Sequence, residues 1–292
     1  MGTHAAERGG PVISLRGLGK SFGSNHVLRD FDLDLFRGEN VMVLGKSGSG
    51  KSVLIKCIVR LLTPDRGTIR VLGQDVLDLD QEALDRLRVK IGFLFQSSAL
   101  YDSMTVQENL EFPLRRHWLS QSQEGTDALV EEVLNAVGLA HTRAMYPSEL
   151  SGGMRRRIGL ARTLILKPEI MLYDEPTTGL DPITGKEIVE LILQLQRTYN
   201  TSSIIISHDL NVAKLAADRI AVLYEGRNHV EGTYQDLLAS TDPVVRQFWV
   251  NGQKGWSDFL QALLGVGLAA MAKLSKESAL AVVADLSTNT GL

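Results

Sequence analysis

The residues best suited to chemistry cluster in Gly45-Lys46-Ser47-Gly48-Ser49-Gly50-Lys51-Ser52. The spacing fits G-x-x-x-x-G-K-[ST], with an apolar run, VMVLG, leading into it and a helical pattern after it. The glycines let the backbone curl so that its N–H groups aim at phosphate oxygens. A helix opening at this point adds partial positive charge. In such a loop Lys51 reaches the β- and γ-phosphates and the Ser52 hydroxyl ligates Mg²⁺. A second cluster closes another apolar run, Ile170-Met171-Leu172-Tyr173-Asp174-Glu175. Two adjacent carboxylates at a strand end suit two tasks. Asp174 holds the metal, and Glu175 orients or deprotonates an attacking water. Alone, an acidic strand end is an ordinary α/β turn; beside a phosphate loop it reads as the other half of a nucleotide site.

Together these motifs describe a P-loop NTPase and leave its kind open. Protein kinases are excluded, because their phosphate loop is G-x-G-x-x-G and their metal Asp lies in D-F-G. No N-K-x-D guanine reader is present, which speaks against a GTPase. The class is decided by Leu150-Ser151-Gly152-Gly153-Met154, followed by the Arg-rich RRRIGLAR. Ser151 and the two glycines offer a hydroxyl and bare N–H groups at a helix start, a second phosphate cradle. Here the sequence resembles the ATP-binding-cassette (ABC) ATPases, whose signature is LSGG followed by Gln or a similar residue. In that family the loop and the signature face opposite nucleotides. With one copy of each motif, the resemblance implies a head-to-tail homodimer closed over two ATP molecules with Mg²⁺.

The resemblance also implies roles for other positions. Phe22 stacks on adenine. Gln96, after KIGFLF, is the Q-loop residue that senses Mg²⁺ and the membrane partner. Gly179-Leu180-Asp181-Pro182 is the D-loop, and His208, closing SSIIISH, is the switch histidine at the γ-phosphate. Singly, such residues are ordinary core or solvated side chains. Their occurrence in this order along one chain is what carries weight.

The elements that must position these residues are readable from periodicity. Residues 12–16 suggest a first strand. Phe31, Leu33 and Leu35 alternate with Asp30, Asp32 and Asp34, the pattern of a half-exposed antiparallel strand. The continuous apolar runs at 41–45, 169–175 and 202–208 read as buried parallel strands, with further strands at 68–73 and 90–95. A helix opens near Lys51 and carries Val53, Leu54, Cys57 and Ile58; another covers about 183–199. From about 97 to 160 the pattern is read as helical, with Leu129, Val130, Val133, Leu134 and Val137 on one face. Strand–helix alternation predicts an α/β fold: a P-loop (RecA-like) ABC ATPase core, an N-terminal antiparallel β subdomain and an inserted helical signature subdomain. The expected domains are a leader over 1–11, the cassette over 12–250 and a helical extension over 251–292.

Composition sets limits. The chain has 292 residues with a formal net charge of -3, which argues against a dominant nucleic-acid footprint. Its one cysteine, Cys57, allows no intrachain disulfide, and its six histidines lack metal-ligand spacing. Apolar runs are too short to span a bilayer, and the start has no secretory core. The expected product is soluble and cytosolic, so a transporter would need a separate permease chain.

Three stretches resemble the ATPases of Mla-type, MCE-associated phospholipid transporters: residues 91–117, Met154, and DPVVRQF at 242–248. That resemblance implies permease and MCE-domain lipid-binding partners and a place on the cytoplasmic face of the inner membrane. Phe112, Pro113 and Leu114, with Arg115 and Arg116 at the rim, are a candidate seat for the permease's coupling helix; an ordinary amphipathic helix is the plainer reading. The tail's apolar face (Trp256, Phe259, Leu260, Leu263, Leu264, Gly267, Met271) suits a hairpin on its own subunit or an arm crossing to the partner copy. Rival readings are lipoprotein release, amino-acid import, or an ATP-gated clamp on nucleic acid or the ribosome.

Overall fold

The computed structural model describes residues 9–116 and 122–248. The chain divides into two compact units, Met1–Ala239 and Ser240–Leu292. In the second, the Asp242 carboxylate accepts from the N–H groups of Val244 and Val245 at 2.8 and 3.1 Å and starts a helix at 243. The tail beyond 248 and its apolar face lie outside the described residues, as do positions 1–8 of the leader.

The first unit opens with strands β1 (Ile13–Phe22), β2 (Asn25–Leu35) and β3 (Asn40–Leu44), then helix α1 (Lys51–Ile58). Next come β4 (Arg66–Val71), β5 (Gln74–Asp75), α2 (Gln81–Val89) and β6 (Ile91–Leu94). A helical insertion follows: α3 (Val106–Arg116), α4 (Gln123–Ala136) and α5 (Gly152–Leu164). The chain then returns through β7 (Ile170–Asp174), α6 (Pro182–Tyr199), β8 (Ser202–Ser207), α7 (Leu210–Ala216), β9 (Arg219–Tyr224), β10 (Arg227–Gly232) and α8 (Tyr234–Leu238).

Two sheets result. One has four antiparallel strands in the order β2-β1-β4-β5. The other has six strands in the order β10-β9-β3-β8-β7-β6, parallel except for the β10 edge. The inserted helices connect β6 to β7, and the architecture is the expected P-loop ABC α/β fold.

The sequence pattern explains the layering. On β2, Phe31, Leu33 and Leu35 are buried, Asp30 and Asp32 are exposed and Asp34 is half-buried. Every residue of β3, β7 and β8 is buried, as central strands of a covered parallel sheet require. One apolar cluster joins Ile13, Leu15 and Phe31 of the antiparallel sheet, Leu54 and Ile58 of α1, and Val41, Leu172 and Ile204 of the parallel sheet. Helix α1 is thereby clamped by packing on both sides, and its N-terminus is fixed where β3 ends. Cys57 is fully buried in this cluster, and burial pushes its thiol up to about 11.

Three expectations are corrected. The first strand runs to Phe22, beyond 16, because a bulged register lets β1 stay paired with β2 to its end. Residues 97–105 are not helical: Ser98 and Ala99 both have positive φ (60° and 49°), which no right-handed helix tolerates. Leu114 is 4% exposed and faces inward, so it drops out of the candidate coupling seat.

Candidate functional site

The loop from Gly45 to Gly50 leaves β3 and enters α1. Gly45 has no space for a side chain, since a Cβ there would lie 2.6 Å from Ser49 Oγ and 3.1 Å from the Leu223 carbonyl. Gly50 has φ of 104°, and a Cβ would meet Val27 Cγ1 at 2.6 Å. Gly48, also at positive φ, faces open space. The turn is closed by Ser49 N–H donating to the Lys46 carbonyl at 3.1 Å. Helix α1 has no side-chain cap, so its first N–H groups and positive dipole end are available to an anion.

Lys51 is 5% exposed. Its ammonium donates to the carbonyls of Gly45 at 2.7 Å and Lys46 at 3.0 Å, and lies 3.3 Å from Glu175 Oε1. Beside it, Ser52 Oγ donates to Asp174 Oδ1 at 2.9 Å. Burial raises the Asp174 pKa, with the Ser52 hydrogen bond and Lys56 working against it. Glu175 follows directly, with φ of 48°. Its Oε2 accepts from Thr178 Oγ1 at 3.3 Å and is 3.0 Å from His208 Nδ1.

These groups surround a cleft of about 390 Å³ lined by Phe22, Ser47, Gly48, Gly50, Lys51, Ser52, Gln96, Glu175 and His208. Phe22 stands at its rim, 49% exposed, with Lys20 Nζ 5.4 Å from its ring centroid. An exposed ring beside a phosphate loop is an available stacking surface. Thr178 and Val27 also line the cleft and were not singled out from sequence, and Val53, read there only as a helix residue, lines it too. For Thr178 the available signal was its place three residues after Glu175.

The remaining expected residues lie outside this lining. Ser151 caps α5, its Oγ accepting from Met154 N–H at 3.2 Å. Gly152 and Gly153 form the first turn of α5, and a Cβ on Gly153 would lie 2.7 Å from Thr184 Cγ2. Asp181 caps α6, accepting from the N–H groups of Ile183 and Thr184 at 3.1 and 3.0 Å. Those hydrogen bonds, Thr184's first, hold its carboxyl below the ordinary carboxylate range.

The residues present fit Mg²⁺-ATP. A glycine cradle, a helix N-terminus and a buried lysine suit a polyphosphate. A hydroxyl and a carboxylate within 2.9 Å of each other are hard oxygen donors of the kind Mg²⁺ prefers.

Comparison with known proteins agrees. The family described as ABC transporter matches residues 28–178. The chain is 40% identical over 245 residues to the probable ribonucleotide transport ATP-binding protein mkl of Mycobacterium leprae, covering 84% of this chain and 70% of that one. It is 39% identical to the chloroplastic protein TRIGALACTOSYLDIACYLGLYCEROL 3 of Arabidopsis thaliana, covering 81% and 73%. It is also 39% identical to the methionine import ATP-binding protein MetN of Cupriavidus metallidurans, covering 78% and 67%. Among solved structures it is similar to the ATP-binding cassette MJ0796 in a dimeric post-hydrolysis state bound to ADP and Pi. That match has a TM-score of 0.69 and 32% identity and covers 76% of this chain and 98% of that one. Phosphate loop, signature turn, fold and relatives converge, and the chain belongs to the ABC transporter family as an ATP-binding subunit that hydrolyses ATP with Mg²⁺.

Proposed function

We propose that this subunit drives a separate permease that moves phospholipid between membranes of the cell envelope, in a complex of the Mla/MCE type. The reading rests on the resemblance of residues 91–117, Met154 and 242–248 to that subgroup. A relative whose printed name is that of a galactolipid adds support. Among the described residues no helix is long and apolar enough to cross a membrane. In this reading the partners are a second copy, an integral permease and an MCE-domain protein, at the cytoplasmic face of the inner membrane. The cassette is taken as 12–250, with its helical subdomain inserted between β6 and β7.

The mechanism follows from the cleft. Phe22 stacks on the base, and the loop amides of 46–52 with Lys51 hold the phosphates. Ser52 and Asp174, with Gln96, would hold Mg²⁺, which when bound would supply positive charge against the phosphates. Glu175 takes the proton of the attacking water, and His208, hydrogen-bonded to the same carboxylate oxygen, positions that water against the γ-phosphate. Ser151, Gly152 and Gly153 of the second copy, with its Asp181, complete the opposite wall. ATP binds the closed dimer better than the open one, and closure moves the permease through the Gln96 loop.

A second reading, amino-acid import, is favoured by the methionine import relative. Affinity purification from solubilised membranes, with mass spectrometry of proteins and lipids, separates the two. Phospholipid, a permease and an MCE-domain protein together support lipid transport. A permease without phospholipid or MCE protein replaces the cargo. No membrane protein, where other transporters stay intact, reopens the soluble-clamp alternative.

A further inference from the structure

Helix α5 carries a buried cation that the mechanism above does not use. Arg156 is 5% exposed, and no carboxylate among the described residues pairs with it. Its donors go to backbone instead. One terminal nitrogen donates to the Phe95 carbonyl at 3.0 Å, the other to the Thr178 carbonyl at 3.3 Å. Phe95 is the residue before Gln96. Thr178 donates its hydroxyl to Glu175 Oε2. The two acceptors thus belong to the two segments that bring Gln96 and Glu175 to the cleft.

Two more contacts bind α5 to the segment after β6. Arg162 donates to the Ala99 carbonyl at 2.5 Å. Gly159 makes room for Ser98: a Cβ at 159 would lie 2.9 Å from Ser98 Cβ. Arg156, Gly159 and Arg162 follow one another at three-residue spacing along one side of the helix. The left-handed pair Ser98–Ala99 is therefore held against α5 from both ends.

Stability is a poor explanation for Arg156. A buried guanidinium costs desolvation, and an apolar side chain of similar volume often serves the fold as well or better. What the guanidinium offers is a rigid planar fork that can span two acceptors at once. We infer that Arg156 is a positioning residue: its fork sets the spacing between the Gln96 and Glu175 segments and ties both to the helix that begins at the signature turn. A shift of α5 then moves the base and the glutamine together. The inference rests on the roles given above to Glu175 and Gln96.

The test uses the full-length chain isolated with its membrane subunits. Arg156→Met and Arg156→Lys are compared with wild type and with Glu175→Gln, reading thermal midpoint, KM for ATP and kcat per folded subunit. Arg156→Met is expected to keep or raise the thermal midpoint and leave KM within about twofold. Its kcat should fall by about tenfold or more, since sub-ångström misplacement of catalytic groups carries losses of this order. Arg156→Lys keeps the charge but reaches one carbonyl, so its kcat should be similarly low. If Met does not fold, Lys carries the test alone. The inference is overturned by kcat within about twofold of wild type in either variant, or by lost stability with unchanged kcat per folded subunit. An active Glu175→Gln would overturn the reading of the site itself, which is a separate failure.

Discussion

Glu175 and His208 follow different parallel strands, yet Oε2 of one and Nδ1 of the other lie 3.0 Å apart. The join works because β7 and β8 are neighbours in register, with Asp174 beside Ile206. Glu175 N–H donates to the Ile206 carbonyl at 3.0 Å, so the positive-φ turn at Glu175 is tied across the strand end. The carboxylate that meets His208 on one oxygen meets Lys51 on the other.

Glu175→Gln keeps the shape and removes the proposed base. General-base loss typically costs about 10²–10⁴-fold in rate, so kcat should fall into that range while ATP still binds and holds the closed dimer. Steady-state hydrolysis with nucleotide-binding titration checks it. Hydrolysis within about threefold of wild type, far short of that loss, would sink the assignment.

Asp174→Asn separates stability from function. Burial raises the Asp174 pKa in the fold above its unfolded value. Its contribution to stability is therefore complete below the ordinary carboxylate range and is lost as pH rises through the raised pKa. Asn does not titrate. The variant should melt near wild type in acid and above it at neutral and higher pH, measured without Mg²⁺ or nucleotide. Its affinity for Mg²⁺ should fall by about 10–100-fold. A variant less stable than wild type at pH 8 would contradict the argument.

Gly50→Ala tests the cradle. The position combines φ of 104° with a Cβ 2.6 Å from Val27 Cγ1. Strain and overpacking of this kind cost about 1–3 kcal/mol. Chemical denaturation should show that loss, along with weakened ATP binding, because relief requires the loop to shift.

How legible was this in the sequence? The phosphate loop, the 170–175 strand and the helix at 183–199 were readable because local pattern and tertiary role coincide there. The strand is a run of uniform burial and the helix one of periodic burial, while the phosphate loop is read from its glycine spacing. The hairpin of β9 and β10 was not picked out, although Glu225 and Gly226, both at positive φ, form its tight turn. The bent segment 97–105 read as helical because its apolar residues mimic a helical face. Its shape is set by Asn109, fully buried, whose side chain accepts from Tyr101 N–H and donates to the carbonyls of Tyr101, Met104 and Thr105. That contact is invisible to periodicity. The Arg156 fork was missed for a related reason: RRR looks like a solvated run, and only packing shows that its middle member is buried.

Phe112→Asp probes the proposed permease seat. Phe112 is half-buried, its ring 4.8 Å from that of Tyr101, and Tyr101 is 42% exposed. A carboxylate there should reduce permease recovery in pull-downs, read per folded subunit because the half-buried ring also packs on Tyr101. Undiminished permease binding would remove this residue from the contact.

The cleft is lined from one side of the fold, and Ser151, Gly152 and Gly153 are not part of that lining. In the proposed mechanism a second copy supplies the opposite wall, and a site walled by two copies has no rate that belongs to a single chain. In dilution the active species scales with the square of chain concentration, so turnover per chain should rise with concentration and level off once association saturates. In a cell, the proposed mechanism would make for thrift: chains too dilute to meet would leave ATP unspent, and a membrane partner that gathers two copies in one place would start hydrolysis.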